Sequence, residues 1–237
     1  MQSEKANIRL ELRPDGDPPQ DPGGDWGKAA EKLRRLPVYK SARIIMASPA
    51  LALRQVRINI LADRKRLVMP TAGVQKGFVR VDPEGIPLAK RVFAAQMDPR
   101  NPFAVKIPYG KPLKHPIDLI LTEALAVAED GSRIGEGEGH LDLQYAILLS
   151  MGWLSPTVQI AAVVEERQIH PTALPMEPTD VAVHWIVTPQ RAIQTSLTGT
   201  PAPDILWERL SPKQVRRNDA LFFLNRSRGP APAGADI

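Results

Sequence analysis

The chain contains no cysteine among its 237 residues, which excludes disulfide bonds, thiolate metal sites and a cysteine nucleophile. Only 5% of the residues are aromatic, and no stretch interleaves aromatic and basic residues as single-strand nucleic-acid binding requires. No apolar run reaches the roughly 18 residues that span a bilayer, and the first residues lack the apolar core of a signal peptide. We therefore expect a cytoplasmic protein whose partners are small molecules rather than membranes or nucleic acids.

The composition that is present is typical of a globular domain, with 43% hydrophobic and 24% charged residues. The net charge of +5 is small and dispersed, so it is as compatible with a small anionic ligand as with a polyanion. The stretch PDGDPPQDPGG at 14–24 predicts a linker. We therefore expect an N-terminal extension and linker at 1–25, one domain at 26–227 and a disordered tail at 228–237. The oligomeric state is left open.

Short apolar runs alternate with helical patterns along the central part of the chain. The clearest run, IDLIL at 117–121, predicts a buried strand, and the spacing at 140–151 predicts a helix. This alternation favours an α/β fold with a mostly parallel sheet sandwiched by helices. Further predicted helices lie at 28–36, 51–62, 87–95 and 210–224, and further strands at 42–47, 66–69, 78–81, 158–164 and 183–187.

A glycine-rich segment joins the central strand to the helix that begins near residue 140. Gly135, Gly137 and Gly139 occupy alternate positions in it. Because glycine lacks a Cβ, the backbone can approach a ligand closely, and its N–H groups can bind phosphate beside the positive end of the helix. A flexible surface loop is the alternative explanation of this pattern alone. Its position after a buried strand favours an anion site, since open α/β sheets bind ligands there.

A longer pattern surrounds the three glycines. The strand at 118–121 and the turn at 125–126 lead to Arg133 and the glycines, and Asp142 follows them. Two further segments, KRLVMP at 65–70 and PTDVAVHWIVT at 178–188, extend this pattern. Together these segments resemble the 5-formyltetrahydrofolate cyclo-ligase family, and the resemblance covers roughly residues 28–192.

The resemblance implies both a fold and a reaction. The fold is an α/β sandwich related to that of sugar-phosphate isomerases and CoA transferases. The reaction is that of an ATP-dependent C–N ligase, in which Mg-ATP phosphorylates the formyl oxygen of 5-formyltetrahydrofolate. Attack by N10 then gives 5,10-methenyltetrahydrofolate, ADP and phosphate. Such chemistry requires positioned phosphates, a cation and a metal bridge more than a strong acid or base.

The resemblance also implies a role for each matching residue. Arg133 is the catalytic cation beside the ATP phosphates, and Asp142 and Asp180 are the Mg²⁺ ligands. Structural roles are the alternatives, namely a helix-dipole contact for Asp142, a turn cap for Asp180 and a surface ion pair for Arg133. The resemblance further implies that the ATP-binding backbone comprises Gly135, Glu136, Gly137, Glu138, Gly139, His140 and Leu141.

The chain departs from the family inside the glycine loop. His140 and Leu141 stand where the family has two tyrosines, so both phenol groups are lost. Glu136 and Glu138 stand where the family generally has neutral residues. Two carboxylates would repel a triphosphate unless a metal intervenes or the side chains point away.

The expected substrate contacts depart further. The family's folate-contacting glutamate falls on Ala50, and the N-terminal lysine that contacts the nucleotide has only Lys5 or Lys28 as candidates. We therefore expect Mg-ATP binding with weak or absent cyclo-ligase activity. The alternatives are a nucleotide-binding paralogue without catalysis, linked to another pathway such as thiamine metabolism, and a phosphosugar isomerase or acyl transferase on the same architecture. The substrate is then a folate or another anionic small molecule.

Overall fold

The computed structural model of this protein describes residues 2–12, 25–197 and 203–228. The predicted linker at 14–24 lies outside the described residues, as does the predicted tail except for Arg228. The helices are α1 (Gln2–Leu12), α2 (Trp26–Arg35), α3 (Pro37–Ser41), α4 (Arg54–Ala62), α5 (Arg91–Ala94), α6 (His140–Ser150), α7 (Pro212–Arg217) and α8 (Asp219–Ser227). The strands are β1 (Ile44–Ala47), β2 (Arg66–Pro70), β3 (Phe78–Val81), β4 (Ala104–Lys106), β5 (Ile117–Thr122), β6 (Ala126–Ala128), β7 (Arg133–Ile134), β8 (Leu154–Val163), β9 (Ile169–His170), β10 (Trp185–Val187) and β11 (Ala192–Gln194).

One large sheet organises the described residues, with its strands in the order β11-β10-β8-β5-β1-β2-β3-β4. The strands from β10 through β8, β5 and β1 to β2 pair in parallel, whereas β11, β3 and β4 pair antiparallel at the edges. A smaller sheet has the order β7-β6-β9. This topology confirms the predicted α/β fold with a mostly parallel sheet.

Apolar side chains are buried on both faces of the large sheet. Side chains alternate between the two faces of a strand. In β5, Ile120 therefore packs into a cluster with α6 and α8, while Leu119 and Leu121 pack into a second cluster with α2, α3 and α4. Both faces of β5 are buried, which explains why its sequence is a nearly continuous apolar run. None of the helices in the described ranges is long and apolar enough to cross a membrane.

The structure corrects the prediction of one terminal helix at 210–224. The chain instead forms α7 and α8, which are separated at Asn218. The buried Asn218 side chain accepts hydrogen bonds from the N–H groups of Ala220 and Leu221 at 3.1 and 3.0 Å, and so caps the start of α8. An asparagine that caps a helix competes with helix continuation through the same residue. The predicted helix at 51–62 likewise begins with a 3-10 turn, Leu51–Leu53, before α4.

Candidate functional site

A cavity of about 440 Å³ opens at the carboxyl end of β5. It is lined by α1, by residues 122–124 at the end of β5, by the glycine loop and the start of α6 at 133–142, and by Glu177 and Asp180. Open α/β sheets bind ligands at this edge. The predicted catalytic, nucleotide-binding and metal-ligating residues, namely Arg133, residues 135–142 and Asp180, all line this one cavity.

The glycine loop has backbone conformations that favour glycine. Gly137 and Gly139 have φ values of +107° and +62°, a region that other residues rarely adopt. α6 begins directly after Gly139, and no side chain among the described residues caps its first turn. The N–H groups of that turn, which lack partners within the helix, and the positive end of the helix therefore border the cavity, an arrangement suited to an anion.

Arg133 is held in a fixed orientation on β7, within the segment that the sequence predicted as a loop. The residue is only 7% exposed, its Nε donates to the Val181 carbonyl at 2.7 Å, and its Nη2 forms an ion pair with Asp142. Asp142 also accepts from the Val181 N–H at 2.8 Å. Arg133 and Asp142 thus join β7, the first turn of α6 and the chain before β10 into one network.

Lys5 is the lysine that reaches the cavity. It lies on α1, is 6% exposed, and its Nζ forms an ion pair with Asp180 and lies 4.0 Å from Glu177. Helix α1 is also attached to the glycine loop, because Arg9 Nε donates to the Gly135 carbonyl at 3.0 Å. Lys28, the other candidate, is exposed and pairs with Asp25 at 2.6 Å. Lys28 does not line the cavity.

The carboxylates of the site are mostly balanced by cations. Asp142 is paired with Arg133, and Asp180 with Lys5. Glu138 is exposed and lies 2.9 Å from the His140 ring nitrogen Nε2. Within 2–12, 25–197 and 203–228, no group of three or more histidine, aspartate and glutamate side chains is arranged to hold a metal by itself.

Glu123 is a cavity residue that the sequence analysis did not single out. It follows the last residue of β5, and its Oε2 atom is buried without a hydrogen-bond partner among the described residues. Arg57 lies in the core behind it, only 3% exposed. Burial lowers the pKa of Arg57 to about 10, although attraction to the Glu123 carboxylate opposes this shift. Because its pKa of about 10 still lies above neutral pH, Arg57 remains charged there.

Known proteins are similar in sequence to nearly the whole of this chain. It is 31% identical over 215 residues to the methenyltetrahydrofolate synthase domain-containing protein of Bos taurus, a match that covers 89% of this chain and 55% of that protein. It is 37% identical over 76 residues to the 5-formyltetrahydrofolate cyclo-ligase of Mycolicibacterium smegmatis, which covers 32% of this chain and 36% of that protein. The chain spans about half the length of the first of these relatives.

A solved structure and a family profile complete the comparison. The 5,10-methenyltetrahydrofolate synthetase of Aquifex aeolicus superposes with a TM-score of 0.54 over 83% of this chain and 95% of its own, at 16% identity, which supports a shared fold. The profile of the 5-formyltetrahydrofolate cyclo-ligase family matches residues 3–189, a range that includes α1 and Lys5 as well as the segments quoted from the sequence. The resemblance inferred from the sequence is thereby confirmed, and this chain belongs to the 5-formyltetrahydrofolate cyclo-ligase family.

Proposed function

We propose that this protein binds Mg-ATP in the cavity at the end of β5 and uses it to convert 5-formyltetrahydrofolate into 5,10-methenyltetrahydrofolate. The observation that carries the proposal is the convergence of a glycine loop, the start of α6, Arg133 and Lys5 on one cavity. Membership of the cyclo-ligase family and the names of the relatives support a small folate as the substrate.

The phosphates of ATP would be bound mainly by the backbone of residues 135–141. These N–H groups require no particular side chains, so the replacement of the family's tyrosines by His140 and Leu141 leaves them available. Arg133 would add a cation whose orientation is already set by the Val181 carbonyl and Asp142. A charge that is positioned before the reaction stabilises the transition state without reorganisation.

The carboxylates of Asp142 and Asp180 fit a magnesium ion that arrives with the nucleotide. Mg²⁺ is usually held by one or two carboxylates together with substrate phosphates and water, so a larger cluster of acidic residues is not required. When bound, it supplies neutralising charge to the phosphates. Both carboxylates are now paired with Arg133 and Lys5. Binding of Mg-ATP would let Lys5 turn towards the phosphate oxygens, while Arg133 keeps its orientation on the Val181 carbonyl.

In this reaction the protein orients the reactants and does not form a covalent bond to them. The formyl oxygen bonds to the γ-phosphorus as ADP leaves. N10 then bonds to the activated carbon as phosphate leaves, and the N10 proton is released to solvent. Neither step requires a protein nucleophile, and stabilisation of negative charge on the transferred group is the main requirement. Lys5 and Arg133 are cations on the cavity wall that meet this requirement.

The first test concerns the glycine loop. Mg-ATP at 100 times its dissociation constant should stabilise the protein by about 2.7 kcal/mol and raise its melting temperature by several degrees. Gly137→Val should remove this response, because a β-branched residue disfavours the φ of +107° and its Cβ would lie 3.4 Å from Arg9 Nε. Gly85→Val is the matched control, since Gly85 also has a positive φ, of +78°, but lies outside the cavity wall. A retained response in Gly137→Val, or equal stabilisation by adenosine, would contradict the phosphate site.

The second test concerns turnover. We expect the absorbance of 5,10-methenyltetrahydrofolate to appear from 5-formyltetrahydrofolate only with both ATP and Mg²⁺. The rate should be at least about tenfold below that of a cyclo-ligase that keeps the tyrosine pair, because a lost hydrogen-bond partner costs about 1.5–3 kcal/mol when a charge is involved. Binding of ATP without any product would favour the non-catalytic paralogue instead. A rate equal to the control enzyme would contradict the importance of the missing phenols.

A further inference from the structure

The Glu123 side chain on the cavity wall has one buried oxygen that no described residue satisfies. Its Oε2 atom is buried, and no donor among the described residues reaches it. A buried acceptor without a donor costs free energy, and more so when it is charged, so such a group on a cavity wall is a candidate for a ligand contact. Arg133, Asp142, Lys5 and Asp180 are all paired within the same cavity.

The neighbouring arginine does not satisfy Glu123. Arg57 Nη1 donates to the carbonyls of Ser48 and Ala50 at 2.6 and 2.8 Å, and its Nε donates to the Ala95 carbonyl at 2.9 Å. Its charge acts on Glu123 at longer range. Arg57 is therefore a buried positive charge near Glu123, and its hydrogen bonds within the described residues all go to backbone carbonyls.

Arg57 lies near both Glu123 and Ala50, the position at which the family has its folate-contacting glutamate. The Ala50 carbonyl accepts from Arg57, and the Ser48 N–H donates to the Leu121 carbonyl at 3.0 Å, so the end of β1 lies beside the end of β5. Ala50 has no side-chain acceptor. Glu123 supplies a carboxylate at the same edge of the sheet, from a different strand.

We infer that Glu123 recognises the substrate in this protein, by accepting hydrogen bonds from adjacent N–H groups on the edge of the substrate's heterocycle; this inference rests on the proposed function. A pterin ring presents such an edge in its N3–H and 2-amino groups. An ionised carboxylate has two acceptor oxygens that match two parallel N–H donors, and such charged pairs are stronger than neutral ones. Glu123 lines the same cavity as Arg133 and Lys5, so a ring bound there lies beside the nucleotide phosphates.

The test measures two ligands by calorimetry on the full chain, namely 5-formyltetrahydrofolate and a non-hydrolysable ATP analogue with Mg²⁺. Glu123→Gln should weaken folate binding by roughly 10- to 100-fold and leave nucleotide binding within about twofold. Glu123→Asp keeps the negative charge near Arg57, but its side chain is one methylene shorter and moves the carboxylate away from the ligand. It should therefore weaken folate binding as well. Glu129→Gln is the matched control, because Glu129 is an exposed carboxylate of the same segment that lies outside the cavity wall.

A folate analogue with a methyl group in place of the 2-amino group tests the pairing directly. It should bind the wild-type protein at least about tenfold more weakly than the parent, while Glu123→Gln should distinguish the two ligands by less than about threefold. Wild-type folate affinity in Glu123→Gln or Glu123→Asp, or equal binding of the analogue to the wild-type protein, would overturn the role of Glu123 and leave the proposed function in place. Failure of the wild-type protein to bind 5-formyltetrahydrofolate while it binds nucleotide would overturn both.

Discussion

Replacement of Gly131 by alanine is expected to lower the free energy of unfolding by about 2–5 kcal/mol. Gly131 has a φ of +91°, where a side chain is strained, and an added Cβ would lie 2.5 Å from the Val183 carbonyl oxygen. That oxygen belongs to the backbone, and the Val183 N–H in turn donates to the Gly131 carbonyl at 2.9 Å. The segments of Gly131 and Val183 cannot move apart without breaking this hydrogen bond, so the clash adds to the backbone strain.

Gly139→Ala is the matched control for this prediction. Gly139 also has a positive φ, of +62°, but an added Cβ would meet no atom within 4 Å. Its cost should therefore be limited to the left-handed conformation, at about 1–2 kcal/mol. Urea unfolding of both variants, followed by circular dichroism, gives the difference. Equal destabilisation would show that the contact with Val183 can relax freely, which would contradict the close packing.

The two glycines illustrate how sequence and structure differ in what they reveal. Both belong to one glycine-rich segment, and the sequence favours a ligand-binding loop for all of it. The structure separates a turn glycine, packed against the chain before β10, from the glycines on the cavity wall. The sequence alone indicates where a positive φ is possible, because glycine tolerates it. It does not indicate that Gly131 packs against Val183, because the two residues are some 50 positions apart.

The parts of the site that were predictable are those encoded by neighbouring residues. β5, the glycine loop and the start of α6 follow one another along the chain, and their apolar runs and glycines indicate them directly. Lys5 was only one of two candidates because its partner, Asp180, is 175 residues away. The residues next to Glu123 in the sequence do not mark it as a site residue either. Only the burial of its Oε2 atom, with Arg57 in the core nearby, distinguishes it from a surface carboxylate.

Lys5→Met is expected to reduce kcat/KM for methenyltetrahydrofolate formation by about 10²–10³, which corresponds to about 2.7–4 kcal/mol of transition-state stabilisation. Methionine keeps an unbranched side chain for packing, so the variant removes the charge with little change in volume. The loss leaves Asp180 without the cation that now pairs with it, and its negative charge then opposes the triphosphate. Lys28→Met should leave kcat/KM within about twofold, because Lys28 is exposed and lies outside the cavity wall.

The double variant Lys5→Met with Asp180→Asn separates two explanations for that loss. If Asp180 only balances Lys5, its neutralisation removes the repulsion and should restore part of the activity. Our proposal makes Asp180 a magnesium ligand, so the double variant should be at least as impaired as Lys5→Met alone and should require more Mg²⁺ for half-maximal rate. Recovery of about tenfold in the double variant would contradict the metal role of Asp180. Equal losses in Lys5→Met and Lys28→Met would instead contradict the assignment of Lys5, because only Lys5 lies on the cavity wall.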